Sequence, residues 1–164
     1  MRVWPVLALV VLAACDNTNP ADEEAARQAA VAEIEAHQDP PPEQLVLDPI
    51  RYKEIEKFDL YGAGCSFTPD GAGLGTVALA MADKGYLIRK GELLVHAADM
   101  GSGELPYLAR RKYDGREYSF TLDIDEAGGR QSGYETRDYR GELVVLDGND
   151  NVVYEAEGPV QCGA

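Results

Sequence analysis

Short runs of alternating apolar and polar side chains occupy the sequence from Leu60 to its end. The clearest run is 118–124, whose apolar members are Tyr118, Phe120, Leu122 and Ile124. Successive side chains of a β-strand point to opposite faces, so this period of two residues predicts a strand with one buried face. Turns separate the runs, and no segment between them offers a crossover helix for a parallel sheet. The sequence predicts a mainly β domain, an antiparallel sandwich or small barrel of about seven or eight strands.

One or two short helices are predicted ahead of these strands. Asn19-Pro20 can cap and begin the first helix, and helix-forming residues continue to His37 before three prolines at 40–42 end it. Its apolar positions are mostly alanine, so it has little surface to bury. A second helix can begin at Asp48-Pro49, because larger apolar side chains follow there at three-residue steps. We therefore expect a helical tether with a stiff proline spacer, followed by a helix that packs on the domain.

The first fifteen residues show a different pattern. Arg2 supplies a positive charge, residues 3–14 contain no charged side chain, and Cys15 follows directly. Such a run is too short to span a bilayer, which takes about 20 apolar residues. It is typical of a secretory signal peptide. Its last four residues, Leu12-Ala13-Ala14-Cys15, resemble the lipobox of bacterial lipoprotein precursors.

This resemblance implies a lipid anchor at Cys15. In that family the cysteine sulfur takes a diacylglyceryl group, a signal peptidase cuts just before it, and the new amine is usually acylated, for example with palmitate. The expected organisation is a signal peptide at 1–14, a lipidated acidic tether and spacer at 15–44, and a β-domain at 45–164. The protein would then lie in the bacterial cell envelope and face the periplasm, on either the inner or the outer membrane. The other interpretation is an ordinary secretory signal with an incidental Cys15.

Two further cysteines, Cys65 and Cys162, lie near the two ends of the predicted β-domain. An exported chain meets an oxidising compartment, in which paired thiols persist as disulfides. We predict a Cys65–Cys162 bridge, whose large loop gives about 4.5 kcal/mol in the chain-entropy model. The alternative is two buried free thiols. A metal site is not predicted, because neither cysteine has a second cysteine or a histidine at ligand spacing.

The chain is strongly acidic. It has 15 lysines and arginines against 29 aspartates and glutamates, for a formal net charge of −14. This charge repels the phosphates of nucleic acids, so no nucleic-acid partner is expected. It attracts cationic proteins or peptides, which are the predicted class of soluble partner beside the membrane itself. The other interpretation is that the charge serves solubility alone.

Tyrosines and arginines gather in two groups within this acidic chain. Such residues are enriched where protein interfaces bind most strongly, so the two groups predict a binding face if the fold brings them together. The predicted face consists of Tyr107, Arg110, Arg111, Tyr113, Arg116, Arg137, Tyr139 and Arg140. The alternative is a solvated surface whose arginines pair with nearby acids.

No residue of the chain is predicted to be catalytic, and no cofactor is predicted. His96 is the one histidine of the predicted β-domain, and a histidine in a strand more often packs than reacts. None of the serines has the nucleophile-elbow context of a hydrolase. The segment 147–151 begins like a calcium loop, but Val152 and Gly158 stand where glycine and glutamate are required. These patterns favour structural roles.

The function predicted from these features is a lipid-anchored binding or interaction module without catalysis. The alternatives are an envelope hydrolase of an unrecognised family and a purely structural spacer. A sharper version is an inhibitor of c-type lysozyme. The segment Ser102-Gly103-Glu104-Leu105-Pro106-Tyr107 is similar, with one residue more, to the Ser-Gly-x-x-Tyr loop of membrane-bound lipoproteins that inhibit this enzyme. The resemblance implies a disulfide-bridged β-barrel in which Ser102 stands for the inhibitory serine.

Overall fold

The computed structural model describes residues 19–36, 42–71, 73 and 75–164. The chain divides into two compact units, 1–41 and 42–164. The described part of the first unit is helix α1, Pro20–Ala36, which begins where the sequence predicts. Asn19 caps it, because its Oδ1 accepts the Ala21 N–H at 3.3 Å. The predicted lipid site at Cys15 and the predicted last helical residue, His37, lie outside the described residues.

The described residues of the second unit form one short α-helix, a 3₁₀ turn and nine strands. The helix is α2, Tyr52–Phe58, and the 3₁₀ turn is Pro106–Leu108. The strands are β1 Gly64–Phe67, β2 Ala78–Met81, β3 Lys84–Arg89, β4 Glu92–Ala98, β5 Lys112–Asp114, β6 Tyr118–Ile124, β7 Arg130–Gly133, β8 Thr136–Asp147 and β9 Val152–Gly163. Across the described ranges, no helix is long and apolar enough to cross a membrane.

The strands form a closed antiparallel barrel. Strands β1 to β6 pair with their neighbours in chain order, β6 then pairs with β8, β8 with β9, and β9 returns to β1. Eight strands complete this circle, while β7 pairs with β8 alone. The prediction of a mainly β domain preceded by short helices is confirmed, and of the two predicted architectures the chain adopts the barrel.

A disulfide joins the two strands that close the barrel. Cys65 of β1 lies directly opposite Cys162 of β9, and the two are bonded, as the sequence predicts. Both side chains are buried. The bond therefore holds together the one pairing that connects the first strand to the last.

The inside of the barrel is a packed core of large apolar side chains. Those with no exposed surface include Phe67, Leu87, Phe120, Leu122 and Leu143. They come from inward positions of β1, β3, β6 and β8, and burying each contributes roughly 1.5–3 kcal/mol. The alternation that predicts β6 from the sequence thus places its aromatic and aliphatic side chains in this core and its polar ones on the outside.

Two chain segments cover the ends of the barrel. Residues 45–50 cross one end, where the Leu45 N–H donates to Val153 O at 2.7 Å and the Ile50 N–H to Thr76 O at 2.7 Å. The loop between β4 and β5 covers the other end, and its Leu105 and Ala109 are buried. Helix α2 lies outside, where Ile55 and Phe58 pack against a second small core around Ile88. The surfaces available to partners are therefore on the outer wall and on the loops.

Candidate functional site

Two members of the predicted Tyr/Arg face do not belong to a surface. Tyr113 is fully buried and Tyr139 is 8% exposed. The Tyr113 hydroxyl donates to Met81 O and accepts the Arg110 N–H, both at 2.7 Å. Burial raises the pKa of Tyr113 to about 12. These tyrosines support the barrel from within, so this part of the predicted face is wrong.

The exposed members lie on different parts of the domain. Tyr107 lies in the 3₁₀ turn, and its hydroxyl donates to Glu135 O at 2.7 Å, which joins the β4–β5 loop to the β7–β8 turn. Arg137 follows on β8, where its Nη2 donates to Gly129 O at 3.2 Å. Arg116 is in the turn between β5 and β6. The structure brings Tyr107 to the β7–β8 turn, just before Arg137 in the sequence, but it does not gather the eight predicted residues into one face.

Three of the predicted arginines lie against carboxylates. Arg111 Nη1 is 2.7 Å from Asp123 Oδ1, and Arg110 pairs with Glu104 at 3.4 Å. Arg140 binds both carboxylate oxygens of Asp70, at 2.9 and 2.7 Å, and holds the pKa of Asp70 below its ordinary value. These three residues fit the alternative interpretation of the sequence, in which the arginines pair with nearby acids.

Four carboxylates on the outer wall form the surface that sequence reasoning missed. Asp123 of β6 lies directly opposite Glu142 of β8, and Glu142 lies directly opposite Glu157 of β9. Glu155 is two residues before Glu157 on the same face of β9. We call Asp123, Glu142, Glu155 and Glu157 the acidic row. It crosses three neighbouring strands, because β8 pairs with β6 on one side and with β9 on the other.

The acidic row concentrates negative charge at Glu142. The pKa of Glu142 is raised, first because neighbouring groups displace water from it and then because Glu155, Glu157 and Asp123 repel its charge. At the margins, Arg111 pairs with Asp123, and Arg140 lies 3.9 Å from Glu157. None of the ion pairs among the described residues reaches Glu142 or Glu155. The centre of the row is therefore a carboxylate pair without a cation.

A shallow cavity of about 300 Å³ lies along the row. Its lining includes Asp123, Asp125, Glu142, Glu157 and Arg140. This volume is at the lower end of the range for ligand sites, about 300–1,000 Å³. Gly141 also lines the cavity. A Cβ there would collide with the backbone oxygen of Asp123, so the missing side chain lets β8 approach β6 closely.

A larger cavity of about 610 Å³ lies beyond Arg140, between the β1–β2 loop and the start of β8. Its polar groups bind each other. Asp138 accepts hydrogen bonds from Gln161 Nε2 at 3.0 Å and Ser132 Oγ at 2.8 Å, and these bonds lower its pKa. Thr68 and Thr76 share a hydrogen bond at 3.2 Å. The charged residues of its lining are Arg130, Arg140 and Asp138, so the cavity does not share the negative charge of the acidic row.

The residues considered for catalysis have structural environments. His96 is 1% exposed and packs edge-on against Phe120, with ring centres 5.1 Å apart. Ser102 is hydrogen-bonded within its loop and to the start of β5. Its Oγ donates to Asp99 O at 2.7 Å and accepts the Lys112 N–H at 3.2 Å. Neither side chain is placed beside the other as a nucleophile and base. Tyr107 and Ser102, the two ends of the lysozyme-inhibitor-like segment, therefore both bond within the domain.

The segment that begins like a calcium loop is a hydrogen-bonded turn between β8 and β9. The Asp147 carboxylate accepts the backbone N–H groups of Asn149 and Asn151 at 2.8 and 3.0 Å, and the Asn151 amide at 3.1 Å. These bonds lower the pKa of Asp147, the Asn151 side chain contributing most. Within the part of the chain that the structure describes, no group of three His, Cys, Asp or Glu side chains could hold a metal ion.

Comparisons with protein-family models, with curated proteins and with solved structures gave no match to this chain. The function proposed for the outer wall therefore rests on its own geometry and charge.

Proposed function

We propose that the protein is a lipid-anchored lipoprotein of the bacterial envelope that acts as a non-catalytic binding module, and that its acidic row binds a cationic protein or peptide. The observation that carries this proposal is the register of Asp123, Glu142 and Glu157, which places three like charges side by side. The lipobox at residues 12–15 supports the envelope location.

The arrangement of the row is unfavourable for folding alone. Like charges directly opposite one another on neighbouring strands destabilise a sheet. A local conflict of this kind is typical of a functional site, where the partner supplies the compensating interaction. A lysine or arginine side chain placed between Glu142 and Glu155 would provide the cation that the fold does not. The net charge of −14 would also speed the approach of such a partner.

The margins of the row favour a protein or peptide over a lone cation. Arg111 and Arg140 stand beside its outer carboxylates, so the negative centre of the surface has a positive charge at each margin. Such a pattern is recognised by a partner that presents several fixed charges, because complementarity then sets the orientation as well as the attraction. The shallow cavity admits side chains from such a partner.

Calorimetry tests this function by measuring how tightly a deca-lysine peptide binds the full-length chain at low and at moderate salt. The double variant Glu142→Gln/Glu157→Gln should bind about tenfold more weakly than the unmodified protein, a loss of about 1.4 kcal/mol. The matched control is Glu92→Gln/Glu117→Gln, which removes the same charge from the exposed start of β4 and the β5–β6 turn. An equal loss in both variants would mean that net charge alone attracts the peptide.

Inhibition of c-type lysozyme is the second candidate function. The observation in its favour is the closed, disulfide-bridged β-barrel, the architecture that the resemblance implies. An acidic outer wall also suits a basic enzyme. The full-length chain should then slow bacterial lysis by lysozyme at micromolar concentration, and the Glu142→Gln/Glu157→Gln variant should do so less. No inhibition at that concentration would remove this candidate and leave the peptide-binding proposal to its own test.

A further inference from the structure

The strand pairings of the barrel differ in length, and the shortest is the one between β4 and β5. Only two residue pairs join these strands, Ala97 with Asp114 and Ala98 with Tyr113. One more bond follows, from the Asp99 N–H to Lys112 O at 2.9 Å. By contrast, the pairing of β8 with β9 runs from Thr136 to Leu146. The β4–β5 seam therefore has the fewest residue pairs to separate, and its opening also breaks the hydrogen bond from the Tyr113 hydroxyl to Met81 O.

His96 lies on β4 beside this seam, and its ring is enclosed. Gly85 faces it directly from β3, and the Phe120 ring approaches it from β6. Gly115, the residue after β5, covers it so closely that an added Cβ would lie 2.9 Å from Nε2. Its Nδ1 has no hydrogen-bond partner among the described residues. A proton added to this ring would therefore place a positive charge in a buried site.

The groups that face His96 do little to compensate such a charge. From β5, the Asp114 carboxylate favours protonation, but it is already paired with Lys112 at 3.1 Å. The Tyr113 phenol, also from β5, is neutral because its pKa is about 12. From β3 and β6, the facing residues are Gly85 and Phe120, which carry no charge. Burial is the largest influence on His96 and lowers its pKa below the ordinary 6.5, and it outweighs the hydrogen bonds with the backbone of Gly85 and Leu94, which favour protonation.

We propose that the β4–β5 seam is an acid-sensitive latch, in which protonation of His96 separates the β5–β6 hairpin from β4 while the rest of the barrel stays closed. Opening lets the imidazolium reach water, which stabilises its charge. The direction of the pH effect follows from the coupling between proton binding and opening. The open state binds the proton more tightly than the closed state, so opening becomes more favourable as pH falls below about 6.5.

Amide hydrogen exchange of the full-length chain, corrected for the intrinsic effect of pH, tests the latch. Between pH 7.5 and 5.5, exchange in Ala97–Asp99 and 112–115 should accelerate about tenfold, because an open-state pKa near 6.5 gives one decade of proton binding over that range. Amides of β8 and β9 should not respond. His96→Phe keeps a ring against Phe120 but has no titrating nitrogen, so it should abolish the acceleration.

Acceleration that persists in His96→Phe, or that extends equally to β8 and β9, would overturn the latch. If His96→Phe does not fold, the pH series of the unmodified chain decides. His96 is the one histidine between residues 42 and 164, so the effect must begin near pH 6.5. An onset only near pH 4, where carboxylates titrate, would equally overturn it.

Discussion

Glu142 occupies the centre of the acidic row, with Asp123 opposite on β6 and Glu157 opposite on β9. Its pKa is raised above the ordinary 4.5, so the folded chain holds this proton more tightly than the unfolded chain does. The stabilisation from that proton exists below pH 4.5 and is lost as pH rises through the higher folded value. At pH 7 the charged side chain therefore opposes folding. We expect Glu142→Gln to raise the urea midpoint at pH 7 and to leave it unchanged at pH 3.

The control for this change is Glu117→Gln, in the exposed turn between β5 and β6. It should leave the midpoint the same at both pH values, because Glu117 has no carboxylates of the row beside it. A lower midpoint for Glu142→Gln at pH 7 would show that its charge supports the fold. The expected combination, greater stability with weaker binding of a cationic peptide, would mark Glu142 as a residue kept for function.

Single residues could be predicted from the sequence where chemistry alone decides their role, and not where the fold decides it. The pairing of Cys65 with Cys162 was predicted from an expected oxidising compartment and from the assignment of the third cysteine, Cys15, to lipid. Tyr113 shares its sequence surroundings with Arg110 and Arg111, yet the strand register turns it into the core. The acidic row was hidden for the same reason. Its members are distant in the sequence and become neighbours only through the pairing of β8 with two strands.

The pairing of β1 with β9 is the element-scale contact that closes the barrel, and the disulfide spans it. Cys65 and Cys162 are 97 residues apart in the sequence. Opening a loop of that size gives the unfolded chain more freedom, so reduction should lower the free energy of unfolding by about 4–5 kcal/mol. Urea denaturation with and without dithiothreitol measures this loss. The Cys65→Ala/Cys162→Ala variant should be similarly weakened and should not respond to dithiothreitol. Equal stability of the reduced and oxidised chains would contradict the prediction.

Elements with a buried face were predictable, and β7 was not. Strand β6 follows the alternation of Phe120 and Leu122 with polar residues. The four residues of β7, Arg130–Gly133, include no apolar side chain, and all are exposed. Only its hydrogen bonds to β8 make it a strand, and a pattern of hydrophobicity carries no sign of them. The same reasoning applies to β8, whose second half carries the apolar run 143–146 while its more polar beginning extends the strand to Thr136.

At the scale of the whole molecule, the sequence left open whether the strands form a sandwich or a barrel. The answer depends on the last strand returning to the first, which is a contact between residues 64–67 and 160–163. Local alternation is compatible with both arrangements, because each has one buried face per strand. The predicted disulfide was the one sequence feature that pointed to contact between these segments.

The attachment of the whole protein to a membrane depends, in our proposal, on Cys15. Each buried methylene of an acyl chain contributes about 0.8 kcal/mol, so two or three chains hold a protein stably on a bilayer. The protein without substitutions should sediment with membranes. Its mass should match a chain that begins at residue 15 and carries a diacylglyceryl group. Cys15→Ser should be released and lack the lipid, whereas Cys65→Ser/Cys162→Ser should remain attached, because those sulfurs are buried in the barrel. An unmodified Cys15 in the isolated protein, or a mature terminus elsewhere, would contradict the anchor.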